Sequence, residues 1–221
     1  MHNYRACYDL GAVGRVYASV LVDWRFIYIA ICFGVGLASY AVCRSKRDWL
    51  WLNLGLAATL AADYFLILQN RHIIGVAVFC FAHVAYILRA VRNKPGGARY
   101  IFPWLAVLTV VPVWTVLSVL LPGAPQFAAT RMITGIFAVT AVYATFFIIN
   151  IYVSARHLQH NRKLTVAGLL LFAACDICVL LMNLPHYFGA PGWFGNVYPM
   201  IWVFYLPSQA LLALSAVKWR K

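Results

Sequence analysis

WLWLNLGLAATLAADYFLIL, residues 49–68, and LTVAGLLLFAACDICVLLMNL, residues 164–184, decide how this chain is read. About 20 helical residues cross the roughly 30 Å hydrocarbon core of a bilayer, and each stretch is that long. Each also carries one carboxylate, Asp63 or Asp176. The chain has no glutamate and five aspartates; the other three, Asp9, Asp23 and Asp48, fall where water is expected. A carboxylate in mid-membrane is costly even on lenient insertion scales and is rarely kept without a role. These two acids are therefore the first place to look for function.

Composition agrees with the membrane reading. Hydrophobic residues fill 64% of the 221 positions and charged residues 10%, whereas a soluble domain carries about a quarter charged. The formal charge of +13 does not indicate nucleic acid. The basic residues sit in short clusters between apolar runs, the pattern of the positive-inside rule. Cys7, Cys32, Cys43, Cys80, Cys175 and Cys178 show no framework spacing, and most lie in apolar runs, so they read as small packing residues. No cleavable signal is evident among the first twenty residues, which hold Arg5, Asp9 and Arg15 but no long apolar core.

The fold expected is all-α, a polytopic transmembrane bundle. Seven spans are predicted, near 25–43, 49–68, 72–90, 101–121, 132–153, 164–184 and 197–217. Residues 1–24 form an extracytoplasmic or interfacial segment, with room for an amphipathic helix or a degenerate eighth span. Residues 25–217 form the seven-helix domain, and 218–221 a basic tail. Lys and Arg alternate along the connections: Arg44, Lys46 and Arg47, then Arg71, then Arg89, Arg92, Lys94 and Arg99, then Arg131, then Arg156, Arg162 and Lys163. The sixth connection has none, and the tail has Lys218, Arg220 and Lys221. This places the N-terminus outside and the C-terminus in the cytoplasm. Tryptophans 49, 51, 104, 193 and 219 fall near predicted interfaces, which is anchoring and not a site.

Counting about 1.5 Å per residue along each span puts Asp63, Asp176, His83, Gln209, Tyr86, Tyr143 and Tyr205 within about 7 Å of the midplane. Singly, a histidine or tyrosine at such a place is as readily a packed core residue, and a glutamine an interhelical hydrogen-bond donor. The aspartates differ, because an unpaired buried carboxylate has no cheap structural use. No Lys or Arg lies near the middle of a predicted span, so His83 is the one candidate cationic partner. Two carboxylates sharing a pocket, one protonated and one ionised, are what general acid–base chemistry needs.

Several chemistries are disfavoured. There is no G-x-S-x-G elbow and no H-E-x-x-H motif. Cys175 and Cys178 are spaced C-x-x-C but lack a second ligand pair in sequence, so no metal is expected. A retinal protein would need an intraspan lysine, which is missing. LAADYFLIL in the second span weakly echoes FAACDICVLLMNL in the sixth, and both helices run the same way.

In order along the chain come A-A-D-Y-F-L-I-L, G-V-A-V-F-C-F-A-H-V-A-Y, G-L-L-L-F-A-A-C-D and F-Y-L-P-S-Q-A-L-L. This set resembles the YhhN-like lysoplasmalogenase family over roughly residues 50–215. The family's G-x-x-x-F-x-x-x-H-x-x-Y helix is met by Gly75, Phe79, His83 and Tyr86. Its G-x-x-x-F-x-x-S-D helix is met by Gly168, Phe172 and Asp176, with Ala174 and Cys175 where a small residue and serine usually sit. Tyr205 and Gln209 match its final Y-x-x-x-Q, and Tyr143 falls where a tyrosine is common. The family usually has eight spans, two of them before the first aspartate helix; here one clear span precedes it, and a lysine-proline signature is missing.

The resemblance implies hydrolysis of the vinyl ether bond of lysoplasmalogens to a fatty aldehyde and a glycerophospho-base. Asp63 and Asp176 are then the catalytic pair, and His83, Tyr86, Tyr143, Tyr205 and Gln209 orient water or headgroup. The partners implied are a lysophospholipid and membrane lipids, with cytoplasmic-side arginines meeting the phosphate and no cofactor. The location implied is the plasma membrane of a bacterium. The competing class is a small proton-coupled transporter or sensor that uses Asp63, Asp176 and His83 as a relay.

Overall fold

A computed structural model describes residues 23–43, 45–92, 128–158, 160–188 and 197–217, without the side chains of 128–138 and 183–188. Six helices follow in order: α1 Trp24–Ala38, α2 Lys46–Asp63, α3 His72–Val91, α4 Ala128–His157, α5 Arg162–Phe188 and α6 Tyr198–Leu214. Short extensions prolong two of them, a 3₁₀ turn Ser39–Val42 after α1 and a π-helical turn Tyr64–Leu68 after α2. Five of the resulting rods are long and apolar enough to cross a membrane, and α6 is a shorter apolar helix. The bundle is all-α, as expected. The predicted span 101–121 and the N-terminal segment 1–22 lie outside the described residues.

Six of the seven predicted spans thus coincide with helices, and several helices run beyond them. Hydropathy marks only the lipid-facing length, whereas the backbone continues until a cap ends it. The side chain of Ser45 accepts from the Asp48 N–H and starts α2 before its apolar run begins. Asn70 (φ 52°) and Asn161 (φ 49°) take the left-handed conformation that terminates α2 and separates α4 from α5.

Each helix packs on its described neighbour in sequence, and α6 returns to α1, so the six close into a ring. The C-terminal ends of α1, α3, α4 and α6 meet the N-terminal ends of α2 and α5 at one end. Arg89 of α3 grips Asp48 of α2 through Nε–Oδ1 (3.0 Å) and Nη2–Oδ2 (2.9 Å). The same guanidinium donates to the Ser215 hydroxyl (2.8 Å) and carbonyl (3.1 Å) just beyond α6. Asn161 Nδ2 donates to the Ser215 and Val217 carbonyls, and Cys43 and Val217 form an isolated antiparallel bridge. Arg47, Arg92, Arg156, Arg162 and Lys163 belong to this end, which is called the basic end below. Val91 ends α3 there, while Ala128 opens α4 at the other end. Asp48 was expected to meet water; it instead neutralises a guanidinium whose side chain is 1% exposed.

Close approach between helices comes from small residues and interhelical polar bonds, which matter where lipid removes the hydrophobic drive between helices. The Gly36 carbonyl of α1 accepts from Ser39 Oγ, Trp49 Nε1 and Asn53 Nδ2. A Cβ on Gly75 would stand 2.5 Å from Leu66 Cγ and 3.1 Å from the Ala62 carbonyl, so glycine brings α3 against the end of α2. A Cβ on Gly168 would stand 3.1 Å from the Ser208 carbonyl, which draws α5 onto α6.

Candidate functional site

Asp63 is the last residue of α2 before the π-helical turn, where Gln69 N–H bonds to the Tyr64 carbonyl five residues back. Such turns recur at functional sites because the extra residue re-aims the side chains beside it. Asp63 is 3% exposed, and its Oδ2 accepts from the Tyr205 hydroxyl of α6 at 2.5 Å. Asp176, in mid-α5 and half-buried, accepts through Oδ2 from the Tyr143 hydroxyl of α4 at 2.7 Å. Each acid therefore has its own tyrosine on another helix, Asp176 from the adjacent α4 and Asp63 from α6 across the ring. Among the described residues, both Oδ1 atoms have no hydrogen-bond donor, and no hydrogen bond joins the two carboxylates directly.

Aromatic rings connect the two pairs. The Phe172 ring lies 5.2 Å from Tyr205, 5.5 Å from Phe79, 5.8 Å from His83 and 5.3 Å from Phe147, centroid to centroid. Phe79 also faces Tyr143 at 6.1 Å. Phe172 thus stands between the Asp63–Tyr205 pair and the aromatic wall that carries Tyr143. Cys175, beside Asp176 on α5, is buried in one cluster with Phe172 and Tyr205, and Tyr143 packs against that cluster. The two acids share one region of the core without touching.

His83 does not pair with either aspartate. Its ring stacks on Phe147 at 4.5 Å and meets Tyr143 at 5.1 Å, so Tyr143 stands between it and Asp176. Its Nδ1 is 3.1 Å from Asn150 Nδ2, and Asn150 Oδ1 accepts from Ser154 Oγ at 3.1 Å. The expected ionic partner is thereby replaced by a neutral amide, because His83 faces α4, where Asn150 lies, and not the acid-bearing face of α2. His83 is 0% exposed, and Nε2 has no partner among the described residues. Gln209 is equally buried; its Nε2 reaches Ser208 Oγ at 3.4 Å and its Oε1 has no partner. Leaving such a group unpaired costs about 1–3 kcal/mol, so each orphan needs an explanation.

Tyr86 packs its ring on Gly55, where a Cβ would collide with Cε1, and its hydroxyl approaches that of Thr59 without a hydrogen bond, so both hydroxyls lack a partner among the described residues. Thr59 and Asp63 are four residues apart on α2 and share a face. Tyr86 accordingly lies one turn from Asp63, nearer the basic end.

Arg25 stands at the far end of the bundle, beside Asp23. Its Nη1 donates to the Tyr198 hydroxyl at 2.6 Å, and its guanidinium lies 4.5 Å above the Trp202 ring. Trp202 meets Tyr205 at 6.1 Å. At the basic end, Arg47, Asp48, Trp51, Arg89 and Arg92 line a cavity of about 40 Å³. Fifteen residues of α2 separate Asp48 from Asp63, about 22 Å along the axis.

Sequence reading passed over Asn150, Ser154, Thr59 and the Arg89–Asp48 pair. Asn150 carried a usable signal, an amide alone within the apolar run 132–153, where such groups form interhelical bonds. Arg89 and Asp48 are near the ends of their helices, and nothing in the sequence pairs them.

The fold and these buried polar pairs define an α-helical membrane protein with two aspartates in its core. Within that class the chain belongs to the YhhN family, whose model matches residues 25–216. No curated protein and no solved structure matches it.

Proposed function

We propose that this YhhN-family protein hydrolyses the vinyl ether bond of a lysoplasmalogen, with Asp63 and Asp176 as its acid–base pair. The observation that carries this reading is the pair of carboxylates within the bundle, each held through Oδ2 by a tyrosine hydroxyl from another helix. One carboxyl, protonated, transfers its proton to the β-carbon of the alkenyl group, and the α-carbon becomes an oxocarbenium ion. The other, ionised, stabilises that charge and takes a proton from the attacking water. The hemiacetal formed collapses to a fatty aldehyde and a glycerophospho-alcohol. In that collapse the second carboxyl gives its proton to the leaving glycerol oxygen and the first takes the hemiacetal hydroxyl proton, so one water is consumed and the pair returns to its starting state.

His83, Tyr86 and Gln209 border this region and orient water or substrate, while Tyr143 and Tyr205 fix the carboxylates. Five single bonds of about 1.5 Å link the ether oxygen to the phosphorus, so the phosphate lies within about 8 Å of it. The arginine cavity of the basic end is about 22 Å from Asp63 along α2. This reading therefore moves the phosphate away from the cytoplasmic-side arginines, toward Arg25 and Arg71 at the other end.

The test uses purified protein in detergent, a lysoplasmalogen and aldehyde detection. Asp63→Asn and Asp176→Asn should each abolish aldehyde release while the protein remains folded in the membrane fraction. Full activity in both variants would overturn the assignment.

A further inference from the structure

We propose that Asn150 is a positioning residue that fixes the tautomer of His83, so that its Nε2–H is presented as a donor to an oxygen of substrate or water. The inference rests on the hydrolase reading above, but its first readout does not depend on activity. The Ser154 hydroxyl donates to Asn150 Oδ1 at 3.1 Å, which turns the amide nitrogen toward His83. Asn150 Nδ2 then donates to His83 Nδ1 at 3.1 Å. An imidazole that accepts at Nδ1 carries its proton at Nε2 when neutral. All three side chains are buried, with His83 and Asn150 0% exposed.

The other edge of the ring is what makes this more than packing. Nε2 is buried and has no partner among the described residues, yet the ring sits among Phe147, Tyr143 and Phe172, the residues that border both Asp–Tyr pairs. A core histidine serving structure alone would use both nitrogens. Here one nitrogen is tied back through two further side chains of α4, and the other stays unpaired among the rings of Tyr143, Phe147 and Phe172. The arrangement follows the logic by which an outer partner selects which ring nitrogen a histidine offers.

The experiment labels the imidazole nitrogens of all histidines with ¹⁵N and assigns the His83 pair by its loss in His83→Gln. Wild-type protein in detergent should show a protonated Nε2 and an unprotonated Nδ1. Asn150→Asp should move the proton to Nδ1, because a carboxylate only accepts. Asn150→Leu, neutral and of similar volume, should leave neither tautomer favoured. With lysoplasmalogen as substrate, Asn150→Asp should lower kcat by about 10²-fold, the usual loss of one preorganised donor, with a smaller change in KM. Asn150→Leu should lower it in the same direction. A wild-type ring protonated at Nδ1, an unchanged tautomer in Asn150→Asp, or a switched tautomer with unchanged kcat would each overturn the proposal. If wild-type protein releases no aldehyde, the hydrolase reading falls and the reaction role falls with it. The spectra alone then decide whether Asn150 sets the tautomer.

Discussion

The Tyr205 hydroxyl donates to Asp63 Oδ2 at 2.5 Å, across residues 142 apart in sequence. An O–H···O contact this short is typical of a charge-assisted bond to a carboxylate. It joins α6 to the point where α2 passes into its π-helical turn. Tyr143 does the same for Asp176 from α4. Two helices that hold no acid thereby aim the two acids that the chain does place in its core.

Removing either hydroxyl tests that aiming. Tyr205→Phe keeps the ring against Phe172 and Trp202 but deletes the bond, and a hydrogen bond to a charged group is worth about 1.5–3 kcal/mol. A fall in kcat of about 10- to 100-fold is expected in an aldehyde-release assay, with the protein still folded. Tyr143→Phe should act in the same direction. Unchanged kcat in both would show that the tyrosines only pack.

The Arg89–Asp48 pair predicts a stability effect separate from chemistry. Arg89→Met leaves a carboxylate unpaired in a site where both partners are nearly buried, and breaking such a pair costs about 3–5 kcal/mol. The thermal midpoint in detergent should drop, and adding Asp48→Asn should restore part of it. If the double variant is no more stable than the single one, the pair is not what holds this end together.

Phe172 separates the Asp63–Tyr205 pair from the wall that includes His83. Truncating a buried phenylalanine costs about 3–5 kcal/mol, in part through the cavity it leaves. Phe172→Ala should therefore lower stability, and Phe172→Leu should lower it less. A measured midpoint equal to wild type in Phe172→Ala would place the ring outside the packed core.

Gly55 gives the steric test. A Cβ there collides with Cε1, Cδ1 and Cζ of the Tyr86 ring, so Gly55→Ala must displace that ring. Overpacking of this kind costs about 1–3 kcal/mol. Pairing Gly55→Ala with Tyr86→Leu should recover stability relative to Gly55→Ala alone, measured by thermal unfolding in detergent. Additive losses would mean the two residues do not meet.

Much of this was legible in the sequence, and for physical reasons. Length and apolarity located α1 to α6 because a bilayer demands about 20 apolar residues in a row. The lysine and arginine clusters marked the connections that the structure brings to one end. Asp63 and Asp176 stood out because a carboxylate in an apolar run is expensive wherever it points. The π-helical turn beside Asp63 was not legible, since hydropathy carries no signal for one extra residue in a turn.

Partnership was a different matter. From sequence, His83 was the natural counter-charge for an aspartate, because charge is a property of residue type and can be counted. Hydrogen bonds depend on rotation about each helix axis and on helix order around the ring, which local pattern does not encode. Those two quantities gave Asp63 to Tyr205, Asp176 to Tyr143, His83 to Asn150, and Arg89 to Asp48 and Ser215. The chain by itself determined that two acids would lie within the apolar spans of a helical membrane bundle, because solvent cost is local. Only the tertiary packing decided which neutral groups meet them, because that follows from contacts between residues far apart in sequence.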